Sequence, residues 1–162
     1  MNPYRIASVI LDEHSVATRD PMIAREREQA IFDLLVKNHF HPFHSPGGPY
    51  RLILSVKEGR LIFDIRLEHD RVPPHGRIIL ALSPFRRVIR DYFLVCESHH
   101  QAIRTSPLQQ IEALDMGRRA LHDEGSILLR ERLEGKITID FDTARRLFTL
   151  ICALHLRVWD AA

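Results

Sequence analysis

The chain predicts an α+β fold: a mostly antiparallel four-stranded sheet packed with helices, followed by a helical C-terminal half. Three observations carry this. Between Tyr50 and Ser83 three short apolar runs alternate with period two, from Ser83 onward apolar residues recur with the 3.6-residue helical period, and the last helical stretch is apolar around most of its circumference. With 162 residues the chain is long enough to form one domain, spanning residues 1–162, that buries about two-thirds of the surface its unfolded form exposes. Neither a low-complexity stretch nor an internal repeat interrupts it.

Tyr4 to Asp12 is rich in β-branched and apolar residues and predicts a first strand. Asp20-Pro21 then supplies an N-cap and a favoured first helical residue. Ile23, Ala30, Ile31, Leu34 and Leu35 place one apolar face on a helix running to about Asn38. His39 to Pro49 holds three prolines, two glycines and three histidines, which predicts an irregular loop. Strand runs follow at Tyr50 to Glu58, Arg60 to Glu68 and Arg77 to Ser83, the first two joined at Gly59 and the last two by a turn containing Pro73-Pro74. Leu52, Leu54, Val56, Leu61, Phe63, Ile65, Ile78, Leu80 and Leu82 alternate onto the core face of an antiparallel meander. The other face mixes Ile53, Ser55, Ile62, Asp64, Ile79 and Ala81, which predicts partial cover by a helix or a partner subunit.

Ser83 caps and Pro84 starts a helix of about five turns whose buried stripe runs through Phe85, Val88, Ile89, Tyr92, Val95, Cys96 and Ile103. Thr105-Ser106-Pro107 ends it and caps the next, which uses Leu108, Ile111, Leu114 and Leu121 and meets a kink or break at Asp123-Glu124-Gly125-Ser126. A further segment, Ile127 to Leu133, ends at Gly135. Lys136 to Asp140 is expected as a short strand on the sheet edge or an extended link. Asp142 is the expected cap of the last helix, in which Leu147, Phe148, Leu150, Ile151, Leu154, Leu156 and Val158 surround the axis. Such a helix belongs at the centre of a fold or, less favoured, in a dimer contact.

Composition narrows the function classes. The net charge of +2 is too small to predict nucleic-acid or membrane affinity without local clustering. Lysine occurs only at Lys37, Lys57 and Lys136, so the basic side is nearly all arginine, a bias consistent with ion pairs or oxyanion contacts and equally with a GC-rich genome. Cys96 and Cys152 fall in apolar helical stretches and make no disulfide framework. The amino terminus lacks a basic region followed by an apolar run, and Leu147 to Leu154 is far shorter than the ~20 residues of a membrane span. A cytoplasmic location is expected.

The run Gly47-Gly-Pro-Tyr-Arg-Leu, the strand ending Phe63-Asp64-Ile65-Arg66 and the segment Ser83-Pro-Phe-Arg-Arg-Val-Ile-Arg-Asp-Tyr-Phe carry a specific phrasing. So do Glu112-Ala-Leu-Asp-Met-Gly-Arg-Arg, Glu124-Gly-Ser, Leu129-Arg-Glu-Arg-Leu-Glu-Gly-Lys and Asp140-Phe-Asp-Thr-Ala-Arg-Arg-Leu-Phe-Thr-Leu-Ile-Cys. Over about residues 4 to 155 the chain resembles the uncharacterised protein family zero-two-six-two, small proteins of alphaproteobacteria. The resemblance implies a bacterial cytoplasmic protein and brings no catalytic residues.

Chemistry concentrates in three Arg-Arg pairs: Arg86-Arg87, with Arg90 one turn on, Arg118-Arg119 and Arg145-Arg146. The first and third are expected in the opening turns of their helices, after Ser83-Pro84 and Asp142-Thr143, where the dipole disfavours cations and a bound anion would offset the cost. The bland alternative is internal neutralisation by Asp64, Asp91, Asp140 or Glu97. His39, His41 and His44 form an H-x-H-x-x-H run, but a loop broken by Pro42 and Pro46 gives no ligand geometry, so no metal and no cofactor is expected. His99, His100 and His122 are expected on helix surfaces. Four residues separate Cys152 from Arg157 instead of the five of phosphatase loops, and no nucleophile elbow, phosphate-cradling loop or dinucleotide fingerprint is present.

The favoured expectation is therefore a non-enzymatic interaction or regulatory module whose arginines engage an acidic protein partner or a phosphorylated small molecule. Self-association into a homodimer is compatible with the apolar last helix and the mixed sheet face. One alternative is an enzyme acting on a phosphorylated or carboxylated metabolite, with Arg86, Arg87, Arg145 and Arg146 as substrate clamps, which a concave pocket holding at least two of those four guanidinium groups and a perturbed titratable residue would favour; a flat or convex arginine surface would favour a protein partner. The other is an RNA-binding module. Gly76 to Pro107 carries five arginines against two acids, but six acids oppose four arginines from Leu108 to Gly135, which argues against nucleic acid.

Overall fold

In the computed structural model, which describes residues 2–12, 21–69 and 76–160, strand β1 (Ile6–Leu11) leads to helix α1 (Pro21–Val36) and then to β2 (Phe40–Pro42), β3 (Tyr50–Lys57), β4 (Arg60–Leu67) and β5 (Gly76–Ala81). A 3₁₀ turn (Ser83–Phe85) opens the helical half: α2 (Arg86–Thr105), α3 (Leu108–Leu133), the short strand β6 (Ile137–Ile139) and α4 (Phe141–Asp160). Asp20, the Pro73-Pro74 turn and the side chains of Ile23, Leu156, Arg157 and Val158 lie outside the described residues.

The main sheet has the order β1-β3-β4-β5. The meander β3-β4-β5 is antiparallel, but β1 runs parallel to β3, so the sheet is mixed. The cause is α1, which lies between β1 and β3 in sequence and returns the chain to the start of the sheet in the same direction. Asn38 fastens that crossover. Its side-chain amide donates to the carbonyls of Leu34 (2.7 Å) and Ile6 (3.0 Å), and its oxygen accepts from the Ile6 N–H (2.7 Å).

The expected loop at residues 39–49 contains β2, which pairs antiparallel with β6 as a separate two-stranded sheet. Burial of the Phe40 side chain drives this, and Pro42 is tolerated because a short edge strand can spare one N–H. Residues 137–139 accordingly join β2 and not the edge of the main sheet.

Leu52, Leu54, Leu61, Phe63, Ile65, Leu80 and Leu82 are buried on one sheet face, as period two requires. α4 is the centre of the core: Ala144, Leu147, Phe148, Leu150 and Ile151 are each 0% exposed. α1 and α3 each pack on α4, and α2 packs on α3. α3 runs unbroken through residues 123–126 because Gly125 lies against the Phe148 ring, which a Cβ would strike, and Ser126 spends its hydroxyl on the His122 carbonyl (2.7 Å). Ile103 and Leu108, expected in the core, are 56% and 69% exposed. They flank the α2–α3 turn, beyond the reach of α4.

Candidate functional site

Where the helices begin decides which arginines face a dipole. Asp140, not Asp142, caps α4, accepting the Thr143 N–H at 2.9 Å. Arg145 and Arg146 are therefore the fifth and sixth residues of α4, beyond its opening turn. At the other pair, the Ser83–Phe85 turn makes no side-chain cap and α2 starts at Arg86. Arg118 and Arg119 sit mid-helix in α3. The dipole argument thus survives only for Arg86 and Arg87.

Packing of α1, α3 and α4 brings two of the three pairs together. Arg145, Arg146 and Thr149 on α4 form the floor of a groove of about 330 Å³. Arg118, Arg119 and His122 rise from α3 on one side, and Glu26, Gln29, Ala30 and Asp33 from α1 on the other, with Tyr92 of α2 beneath. The spacings are helical: 118 to 122, 145 to 149 and 26 to 29 to 33 each keep side chains on one face.

The four guanidinium groups are unequally satisfied. Asp115 serves both α3 arginines, Arg118 through Nη2 (2.7 Å) and Nε (3.3 Å) and Arg119 through Nε (3.1 Å). The hydrogen bond from Arg118 holds the Asp115 carboxyl below its usual range. Arg145 lies 3.7 Å from Asp123 and Arg146 4.0 Å from Asp33, both too long for hydrogen bonds. The Nε of Arg145 is buried with no hydrogen-bond partner among the described residues.

His122 is the titratable group of the groove. It is 8% exposed, contrary to the surface position expected for it, and burial followed by the nearby Arg145 pushes its imidazole down to about 4. Its Nε2 is 2.8 Å from the Thr149 hydroxyl, which itself donates to the Arg145 carbonyl at 3.2 Å. With that proton committed, Nε2 carries the N–H and Nδ1 is left as a buried lone pair without a partner among the described residues. Tyr92 and Phe148 enclose the ring at centroid distances of 5.4 and 5.2 Å.

Arg86, Arg87 and Arg90 stand apart on the exposed start of α2. Arg87 pairs with Asp91 (3.2 Å) and with Glu124, tying α2 to α3, and Arg90 lies 3.5 Å from Asp91. Arg86 sits beside the Gly59 turn and makes no ion pair among the described residues. Of the acids expected to neutralise the pairs, only Asp91 does so. Asp64 serves Arg66 (3.2 Å) and Arg77 (4.0 Å), and Asp140 is a cap.

His41 stacks on Tyr4 (3.9 Å between centroids) and His44 packs on Phe43. Among the described residues no three His, Cys, Asp or Glu side chains converge to hold a metal ion, and no helix is long and apolar enough to cross a membrane. A second cavity of about 350 Å³ lies between the end of α3 and β6, where Ile127, Ile137 and Ile139 meet Arg130 and Glu131 without a convergent charged set.

Glu26, Gln29, Asp33, Tyr92, His122 and Thr149 were invisible as site residues in the sequence. The one available signal was His122 falling three and four residues after the Arg118-Arg119 pair, on the same helix face.

The model of the Uncharacterised protein family (UPF0262) matches residues 3–157. A UPF0262 protein of Caulobacter vibrioides is 59% identical over 155 residues, covering 95% of this chain and 94% of its own. One of Maricaulis maris is 56% identical over 153 residues and one of Brucella canis 57% over 155, each match covering 94% of both chains. No solved structure matches the chain.

Proposed function

Starting from the fact that the chain belongs to the Uncharacterised protein family (UPF0262), with relatives across alphaproteobacteria, we propose that it is a non-enzymatic regulatory or interaction module whose groove over α4 binds a small phosphorylated or carboxylated molecule. One observation carries this reading. Arg118, Arg119, Arg145 and Arg146 line a single concavity, and among the described residues the two on its floor have no carboxylate within hydrogen-bond distance. A guanidinium presents five donors in a rigid fork, and an oxyanion meets them with short charge-assisted bonds. The volume of about 330 Å³ falls within the range of small-molecule sites. Concavity also favours a metabolite over an acidic protein surface, and over RNA, which would need a basic stripe open to solvent.

A thermal-shift screen of phosphate, sulfate, nucleotides and dicarboxylates tests the reading, with Arg145→Ala as the site variant and Arg86→Ala as a control outside the groove. A binding anion at 100 times its Kd stabilises the folded state by about 2.7 kcal/mol. That stabilisation is expected in the parent and in Arg86→Ala and is lost in Arg145→Ala. Equal shifts in all three proteins, or none with any anion, would overturn the reading.

An enzyme acting on the same class of metabolite is the second reading. The observation favouring it is that His122, with its depressed pKa, shares the cavity with four guanidinium groups. Against it, Nε2 is committed to Thr149 and Nδ1 is buried between aromatic rings, which leaves neither nitrogen facing the groove for proton transfer. Conversion of a bound anion, followed by proton or phosphorus NMR and abolished in His122→Ala, would decide for the enzyme.

A further inference from the structure

The charges of the groove are segregated by helix. All four cations stand on α3 and α4, and both carboxylates that line it, Glu26 and Asp33, stand on α1. α1 and α3 both pack on α4, and residues of both line the one groove over it, so the acidic and basic walls flank a common floor. A ligand that carried only negative charge would meet attraction at the α3 side and repulsion at the α1 side. One that also carried a cation at its far end would be attracted at both.

The α1 wall is arranged to receive such a group. Gln29 donates to Asp33 Oδ1 at 3.0 Å and so orients the carboxylate. The other oxygen, Oδ2, faces Arg146 at 4.0 Å, a distance that leaves room for a closer donor. Resting on the anion-binding reading above, we infer that the groove selects a zwitterion: a phosphate or carboxylate held by Arg118, Arg119 and Arg145, joined through a short chain to a protonated amine held by Asp33 and Glu26. Arg146, between the two walls, completes the anion site when the amine takes its place at Asp33.

The test uses matched probes that share the anion and differ in the amine: phosphoethanolamine against ethyl phosphate, and 4-aminobutyrate against butyrate. Calorimetric titration of the full chain is expected to give tighter binding of the amine-bearing member by about 5- to 10-fold, the effect of one charge-assisted contact. Asp33→Asn is expected to erase the difference by weakening the amine-bearing probes while ethyl phosphate and butyrate, relieved of the repulsion at the α1 wall, bind as tightly as before or more so; Glu26→Gln serves as the second variant, with circular dichroism checking that each folds. Arg145→Ala weakens both members of a pair. Equal affinities within both pairs, or a preference that persists undiminished in both acid-wall variants, would overturn the zwitterion inference and leave the anion site standing. Absence of binding by all four probes would overturn the anion site and the inference together.

Discussion

Acid should destabilise this protein through His122. The imidazole is buried between Tyr92 and Phe148, with Arg118, Arg145 and Arg146 nearby outweighing the opposing charge of Asp123, and its pKa falls from 6.5 to about 4. The unfolded chain takes up the proton near pH 6.5 and the folded chain only near pH 4. Between those values the unfolded state binds more protons, so stability falls as the pH is lowered through the window and changes no further from this group below it. At ~1.4 kcal/mol per pH unit the full loss is about 3 kcal/mol. Urea denaturation followed by circular dichroism from pH 7.5 to 4, for the parent and for His122→Gln, isolates the contribution as a difference in slope, because the two proteins differ in no other ionisable group. Parallel slopes, or an NMR titration placing His122 near 6.5, would refute the burial argument and with it the picture of a closed floor beneath the groove.

Three further outcomes follow from particular contacts. Gly125→Ala relieves a helix-interior glycine, a gain of about 1 kcal/mol, but drives a methyl into the fully buried Phe148 ring at an overpacking cost of about 1–3 kcal/mol; a lower denaturation midpoint is expected, and a higher one would mean the ring has room to move. Asp140→Ala removes the cap of α4 and should cost about 1 kcal/mol, whereas Asp142→Ala should cost less, a comparison that chemical denaturation reads directly. Arg145→Met removes a buried N–H that has no hydrogen-bond partner among the described residues and should leave stability unchanged or raise it by about 1 kcal/mol while abolishing the anion-dependent thermal shift. A loss of more than ~1 kcal/mol would show that the 3.7 Å contact with Asp123 is structural.

Period two at 50–82, the helical period after Ser83 and the all-round apolar character of residues 144–154 determined the meander, the α-helical second half and the central place of α4. Each is a local consequence of which side chains must leave water, and each is written in consecutive residues. The same logic marked the arginine pairs as the chemically distinctive positions. Parallel pairing of β1 with β3, the recruitment of residues 40–42 by 137–139 and the continuity of α3 at Gly125 depended on partners dozens of residues away. So did the site. Nothing in the order of residues says that Arg118 and Arg145 share a cavity with Asp33 while Arg87 turns to Glu124, because that follows from α3 and α1 flanking the same buried helix. Spacing along one helix sets which side chains share a face, and only the packing of one helix against another decides what that face meets.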